Sequence, residues 1–132
     1  MLARQDLLKI ARARLKDAEA LVAAGQFDGA VYLCGYAVEI ALKARICRQL
    51  KWGGFPQSNR EFDGLQSFKT HDFKVLIKFT GIEERIRQSF LKEWTSVLDW
   101  APEFRYAQIG SVTSQDAEDM IEAVRLLLGA IR

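Results

Sequence analysis

Five side chains in the first half of the chain recur at helical spacing and could carry chemistry. Asp28, Tyr32, Tyr36, Glu39 and Lys43 follow one another at steps of three or four residues. At about 100° per residue they fall within roughly 80° of one another on a helical wheel. They draw one polar stripe along a segment that is otherwise apolar nearly all round. Glu39 and Lys43 stand in the favourable order for an i, i+4 ion pair, which on a solvent face contributes only about 0.3–0.5 kcal/mol. In a central helix the same charges are partly desolvated and need partners. His71 is the only histidine; it could move a proton, or it could simply start a helix beside Asp72 with its imidazole in water. Cys34 and Cys47 lie 13 residues apart on one predicted helix, about 20 Å, so they cannot bridge each other within it. Neither belongs to a Cys-x-x-Cys pair, and with a single histidine a four-ligand zinc site lacks its ligands. No metal and no cofactor is expected.

The stripe requires a helix, and the pattern around it supplies a bundle. Residues 2–24 repeat Leu7, Leu8, Ala11, Leu15, Ala18, Leu21 and Val22 at three- and four-residue steps, and Gly25 ends the run. The next predicted helix, Asp28 to about Leu50, follows after a very short break, so the two form an antiparallel hairpin. Its all-round apolar character places it in the middle of a bundle, with Gly29, Ala30, Gly35, Ala37, Ala41 and Ala44 allowing neighbouring backbones to approach. Gly35 costs helix stability that packing must offset. From Lys51 to Thr70 the pattern fails, and Gly53-Gly54, Pro56, Ser58-Asn59 and Asp63-Gly64 mark a long connection that is a candidate functional surface. A short helix over Asp72–Phe79, a longer one from Glu83 to about Trp100 ended by Pro102, and a last one capped by Thr113 or Ser114 and running to Arg132 complete the reading. No strand is compelling. The fold class is all-α, an up-and-down bundle of four or five helices, with residues 1–132 as a single helical domain.

Composition agrees. With 132 residues, 49% of them hydrophobic, the chain can bury a core. A net charge of +2 excludes a disordered charged tail or a protein whose nucleic-acid affinity rests on bulk positive charge. Residues 1–52 nevertheless hold nine Lys and Arg against five Asp and Glu. That bias reads either as a solvated face or as a phosphate-binding stripe. The longest uncharged stretch considered for a membrane, Gly29–Val38, is far shorter than the roughly 20 residues that span a bilayer. The early charges Arg4, Asp6 and Lys9 do not suit a secretory peptide, so a cytoplasmic location is expected.

The segments Phe27-Asp28-Gly29-Ala30-Val31-Tyr32-Leu33 and Gly35-Tyr36-Ala37-Val38-Glu39, followed by Ala41-Leu42-Lys43-Ala44, resemble the HEPN domain of prokaryotes. Thr70-His71-Asp72-Phe73-Lys74 is similar to the family's threonine- or serine-His-Asp-Leu segment. The stretch from Trp100 to Arg105-Tyr106 is similar to its tryptophan-to-Arg-Tyr stretch. The resemblance implies a helical bundle, frequent homodimers, and small cytoplasmic proteins often encoded beside a minimal nucleotidyltransferase in toxin–antitoxin pairs. Ribonuclease members of the family carry an Arg-x(4–6)-His motif. Here His71 is preceded at the required positions by Gly64, Leu65 and Gln66, none of which is arginine.

The candidate ligand-binding set is therefore Tyr36, Glu39, Lys43, His71, Arg105 and Tyr106. Arg105 and Lys43 would meet phosphate, one as a bidentate fork and the other as a point charge, while Tyr106 would stack on a base. Alternatively Glu39, Lys43 and Arg105 form a buried ion-pair network that only fixes helix register. The aromatics Trp52, Phe55, Phe62, Phe68, Trp94 and Trp100 read as core or dimer interface rather than as a stacking platform. The resemblance, together with the missing motif, implies a nucleotide- or RNA-binding companion of a nucleotidyltransferase and not a typical ribonuclease. The alternatives are a divergent metal-independent ribonuclease using His71 across a dimer, and a purely structural interaction protein.

Overall fold

A computed structural model describes all 132 residues. Helix α1 (Arg4–Ala23) and helix α2 (Phe27–Leu50) form the expected hairpin. Gly25 closes α1 with a φ of 75°, its N–H donating to the Val22 carbonyl at 3.0 Å while Gln26 N–H reaches Leu21 at 2.8 Å. Glycine takes that left-handed turn without the steric cost of a Cβ. Helix α2 is the central element: it packs against α1, against helix α3 (Phe73–Leu76) and against helix α6 (Ser114–Ile131). Its buried residues run from Ala30 to Cys47, as the all-round apolar pattern requires. Both cysteines are buried on it as free thiols.

One core joins the elements, from Leu7 on α1 through Val38, Leu42 and Ile46 to Leu127 and Ile131 on α6. Phe55, Phe62, Trp94 and Trp100 belong to it, and Trp52 and Phe68 pack against it. Phe68 meets Phe79 and Trp52 at ring separations of 4.4 and 4.9 Å. The aromatics of the long connection thus fold inward and fasten it, in keeping with the core reading. Asp72 caps α3 by accepting from Lys74 N–H at 2.9 Å. Thr113 rather than Ser114 caps α6, in a capping box with Asp116.

The all-α bundle holds, with four differences of detail. Leu2–Ala3 and Gly54–Phe55 pair as a two-stranded antiparallel ribbon, β1 and β2, where no strand was expected. Two residues are too few for a period-2 pattern, and the pairing depends on the chain returning after α2 rather than on local sequence. The helix expected from Glu83 to Trp100 is broken into α4 (Glu83–Ser89) and α5 (Leu91–Val97) by Phe90, whose φ of −134° leaves the helical region. Six α-helical segments therefore stand where four or five were predicted, and Pro102 starts a 3₁₀ turn rather than ending a helix. Gly35 does not admit a neighbouring backbone. A Cβ there would lie 2.2 Å from three atoms of the Trp100 indole. No helix is long and apolar enough to cross a membrane.

Candidate functional site

The stripe of α2 is present, and it divides into two groups that meet at Tyr36. Glu39 is buried, 3% exposed, in the wall of α2. One of its oxygens accepts from Lys43 Nζ at 3.1 Å, and the other lies 2.7 Å from His71 Nδ1, brought in by the loop before α3. A carboxylate has lone pairs and no hydrogen to give, so Nδ1 carries the hydrogen of this bond. The ring is then held with Nε2 away from Glu39, on a side chain that is 59% exposed. His71 is therefore not a helix-start residue with a free imidazole.

Lys43 and His71 line a cleft of ≈ 460 Å³ together with Lys69 and Thr70. Its apolar wall comes from Leu2, Leu7, Ile40, Phe55 and Phe62, so the β1–β2 ribbon closes one side. Lys43 Nζ also stands 5.3 Å from the Phe55 ring centroid, within cation–π range. Two ammonium groups and an imidazole at the rim of an apolar hollow suit an anion attached to a flat or apolar body. No group of three or more His, Cys, Asp or Glu side chains is arranged to hold a metal ion.

The second group lies toward the N-terminus of α2. Tyr32 and Tyr36 meet edge to face, ring centroids 5.3 Å apart, with their hydroxyls at 3.4 Å. Trp100 supports both from below: its indole N–H donates to the Tyr32 carbonyl at 3.1 Å, and its ring packs edge-on to Tyr36 at 4.8 Å. Trp100 also stacks on Phe73 at 5.5 Å. Burial and then the bond to Tyr32 push the Tyr36 phenol up to about 12, with Glu39 adding to the rise and Arg105 opposing it. Tyr36 is thus a neutral hydroxyl at physiological pH. Arg105 lies over the Tyr106 ring at 4.8 Å, and the hydroxyls of Tyr106 and then Tyr32 hold its guanidinium above the ordinary range. Tyr106 is 77% exposed. Asp28 accepts from Gly110 N–H at 2.6 Å and from Val112 N–H at 3.1 Å, tying down the segment that follows Arg105 and Tyr106. Asp28, Tyr32 and Arg105 line a second hollow of ≈ 240 Å³ with Phe104 and Ile109.

Of the six expected site residues, the structure joins Glu39, Lys43 and His71 directly. It sets Arg105 near Tyr32 and over the Tyr106 ring, with Tyr36 between the two groups. The expected Glu39–Lys43–Arg105 network does not form, because His71 takes the carboxylate oxygen that Lys43 leaves. Sequence reasoning passed over Lys69 and gave Tyr32 no role. Tyr32 was within reach, since it lies on the stripe; Lys69 was not, since it sits in a loop whose course no pattern fixes.

Compared with known families, residues 4–52, which contain α1 and α2, match the HEPN domain model. No curated protein and no solved structure compared with the chain gives a match.

Proposed function

We propose, from the match of the first two helices to the HEPN domain model, that the chain is a HEPN-type nucleotide- or RNA-binding companion of a minimal nucleotidyltransferase. That match supports a nucleotide- or RNA-related function in general. The reading adds a homodimer and a role in a toxin–antitoxin or related defence pair. The observation that carries the binding role is the pairing of an exposed ring with cations along one face of α2. Tyr106 offers a π-face beside the Arg105 guanidinium, and Lys43, Lys69 and His71 rim the neighbouring cleft. Bases stack on such rings and phosphates pair with such cations without sequence preference.

Arg105→Ala and Lys43→Ala should each weaken binding of a single-stranded RNA oligonucleotide or of ATP, with the circular dichroism spectrum unchanged. Unaltered affinity in both variants defeats the site. Gentle purification followed by mass spectrometry should recover a small nucleotidyltransferase in stoichiometric amount. Recovery of the protein alone removes the companion role.

One observation favours a second reading, metal-independent RNA cleavage. A buried carboxylate on Nδ1 fixes the orientation of an accessible imidazole, the arrangement a general base needs. Arginine is absent from positions 64–66, so charge on the phosphate would fall to Lys43 or Lys69. Cleavage that is equal in wild type and His71→Ala ends this reading.

A further inference from the structure

Four arginines from three separate stretches of chain converge at the end of the bundle where α1 begins and α2 and α6 end. Arg4 opens α1, Arg45 and Arg48 lie in the last two turns of α2, and Arg85 lies in α4. Arg45 and Arg48 both donate to the main-chain oxygen of Arg132, at 3.1 and 3.2 Å, and Arg85 donates to that of Ala130. None of the four takes part in an ion pair; those of the chain all lie elsewhere. The Nε atoms of Arg4 and Arg45 are shielded from solvent and have no hydrogen-bond partner.

The charge does not balance. Three guanidinium groups face the carbonyl end of α6, which supplies about half a negative charge, and the field of Arg4 adds to theirs at Arg45. A carboxylate on Arg132, where the chain stops there, would add only one more. Burial, and after it the fields of Arg48, Arg85 and Arg4, holds the Arg45 guanidinium below its ordinary range. Like charges are costly to hold together, the more so where two of them, Arg4 and Arg45, are partly buried, unless an anion joins them.

We propose that this cluster is a binding site for closely spaced phosphate groups, distinct from the cleft at His71. Guanidinium forks match the oxygens of phosphate in geometry as well as charge, and two or more phosphates would satisfy what one carboxylate cannot. The groups could be those of a free polyphosphate or nucleotide, or successive phosphates of RNA. The basic excess of residues 1–52 is then in part a built site, since Arg4, Arg45 and Arg48 all belong to it.

Inorganic pyrophosphate is the first probe, in melting experiments against sodium chloride of equal ionic strength. At ten times the half-saturating concentration it should raise the wild-type melting temperature by about 4–6 °C. Arg48→Gln/Arg85→Gln, both positions being exposed, should lose that rise while melting without ligand no lower than wild type. Calorimetric titration of the wild type should show saturable heat. Equal responses in wild type and double variant, or no saturable heat, overturn the proposal, and a double variant that melts lower without ligand assigns the arginines to the fold instead. An RNA oligonucleotide lacking terminal phosphates then separates the sources: displacement of pyrophosphate by it assigns the site to RNA, and its failure to displace assigns it to free polyphosphate or a nucleotide. These outcomes do not depend on Lys43, His71 or Arg105, so either site can fail without the other.

Discussion

Gly35→Ala sets a favourable local change against an unfavourable tertiary one, and the distances decide between them. Within a helix, alanine in place of glycine contributes about 1 kcal/mol through backbone entropy. At position 35 the new Cβ would meet Cδ2, Cε2 and Nε1 of Trp100 at 2.2 Å. The indole cannot yield freely. It is buried, it is bonded through Nε1 to the Tyr32 carbonyl, and it lies between Tyr36 and the Phe73 ring. Forcing a methyl into such a place costs about 1–3 kcal/mol if the side chains shift, and expelling the ring would approach the roughly 3–5 kcal/mol of a Trp→Ala change. The tertiary term wins, and the expected net loss is about 1–3 kcal/mol. For a chain of this size that lowers the melting temperature by about 3–10 °C. The control is Gly129→Ala in α6, where nothing lies within 4 Å of a new Cβ. There only the helical gain acts, and stability should rise by up to about 1 kcal/mol. Urea denaturation of both variants, followed by tryptophan fluorescence, makes the comparison. A Gly35→Ala protein as stable as wild type, with an unchanged emission spectrum, would refute the packing of Trp100 against α2 and with it the support of Tyr32 and Tyr36.

Three further perturbations bear on the same helix. Glu39→Gln leaves Lys43, 18% exposed, without its counter-ion and should destabilise by about 1–3 kcal/mol, a figure reduced from that of a fully buried pair because His71 is largely in solvent. Adding Lys43→Met should recover part of the loss in a double-mutant cycle, and strictly additive losses would show that the two side chains are uncoupled. Asp28→Ala removes the acceptor of Gly110 and Val112, so amide exchange should quicken there while global stability changes by less than about 1 kcal/mol; unchanged protection at both amides would count against the latch. Burial pushes the Cys34 thiol from 9.0 up to about 12, so the folded chain keeps its proton after the unfolded chain has lost it. The stability this group contributes is intact below pH 9 and falls as pH rises toward 12, by up to about 1.4 kcal/mol per unit. The stability difference between wild type and Cys34→Ala in urea should therefore shrink by about 1 kcal/mol from pH 9 to pH 10, and a constant difference would argue against that burial.

The amino-acid sequence by itself determined the helices and the stripe. Periodicity is a local property, so α1, α2 and α6 could be read from apolar spacing, and the placing of α2 at the centre followed from its being apolar nearly all round outside one narrow stripe. The same wheel put Tyr36, Glu39 and Lys43 on one side before any neighbour was known. The break at Phe90 was hidden because the residues around it keep an apolar spacing close to helical across the kink. What only the tertiary structure decided is which loop residues come to the stripe. His71 meets Glu39 across 32 positions of chain and Arg105 reaches Tyr32 across more than twice as many, through connections whose paths are set by packing of Trp52, Phe68 and Trp100. Three of the four arginines were visible only as part of a surplus of charge in the first 52 residues, and Arg85 carried no signal at all. Their convergence depends on where α1 and α4 begin and α2 and α6 end in space, and no spacing along a chain encodes the meeting of helix ends, because that is fixed by the core the helices share.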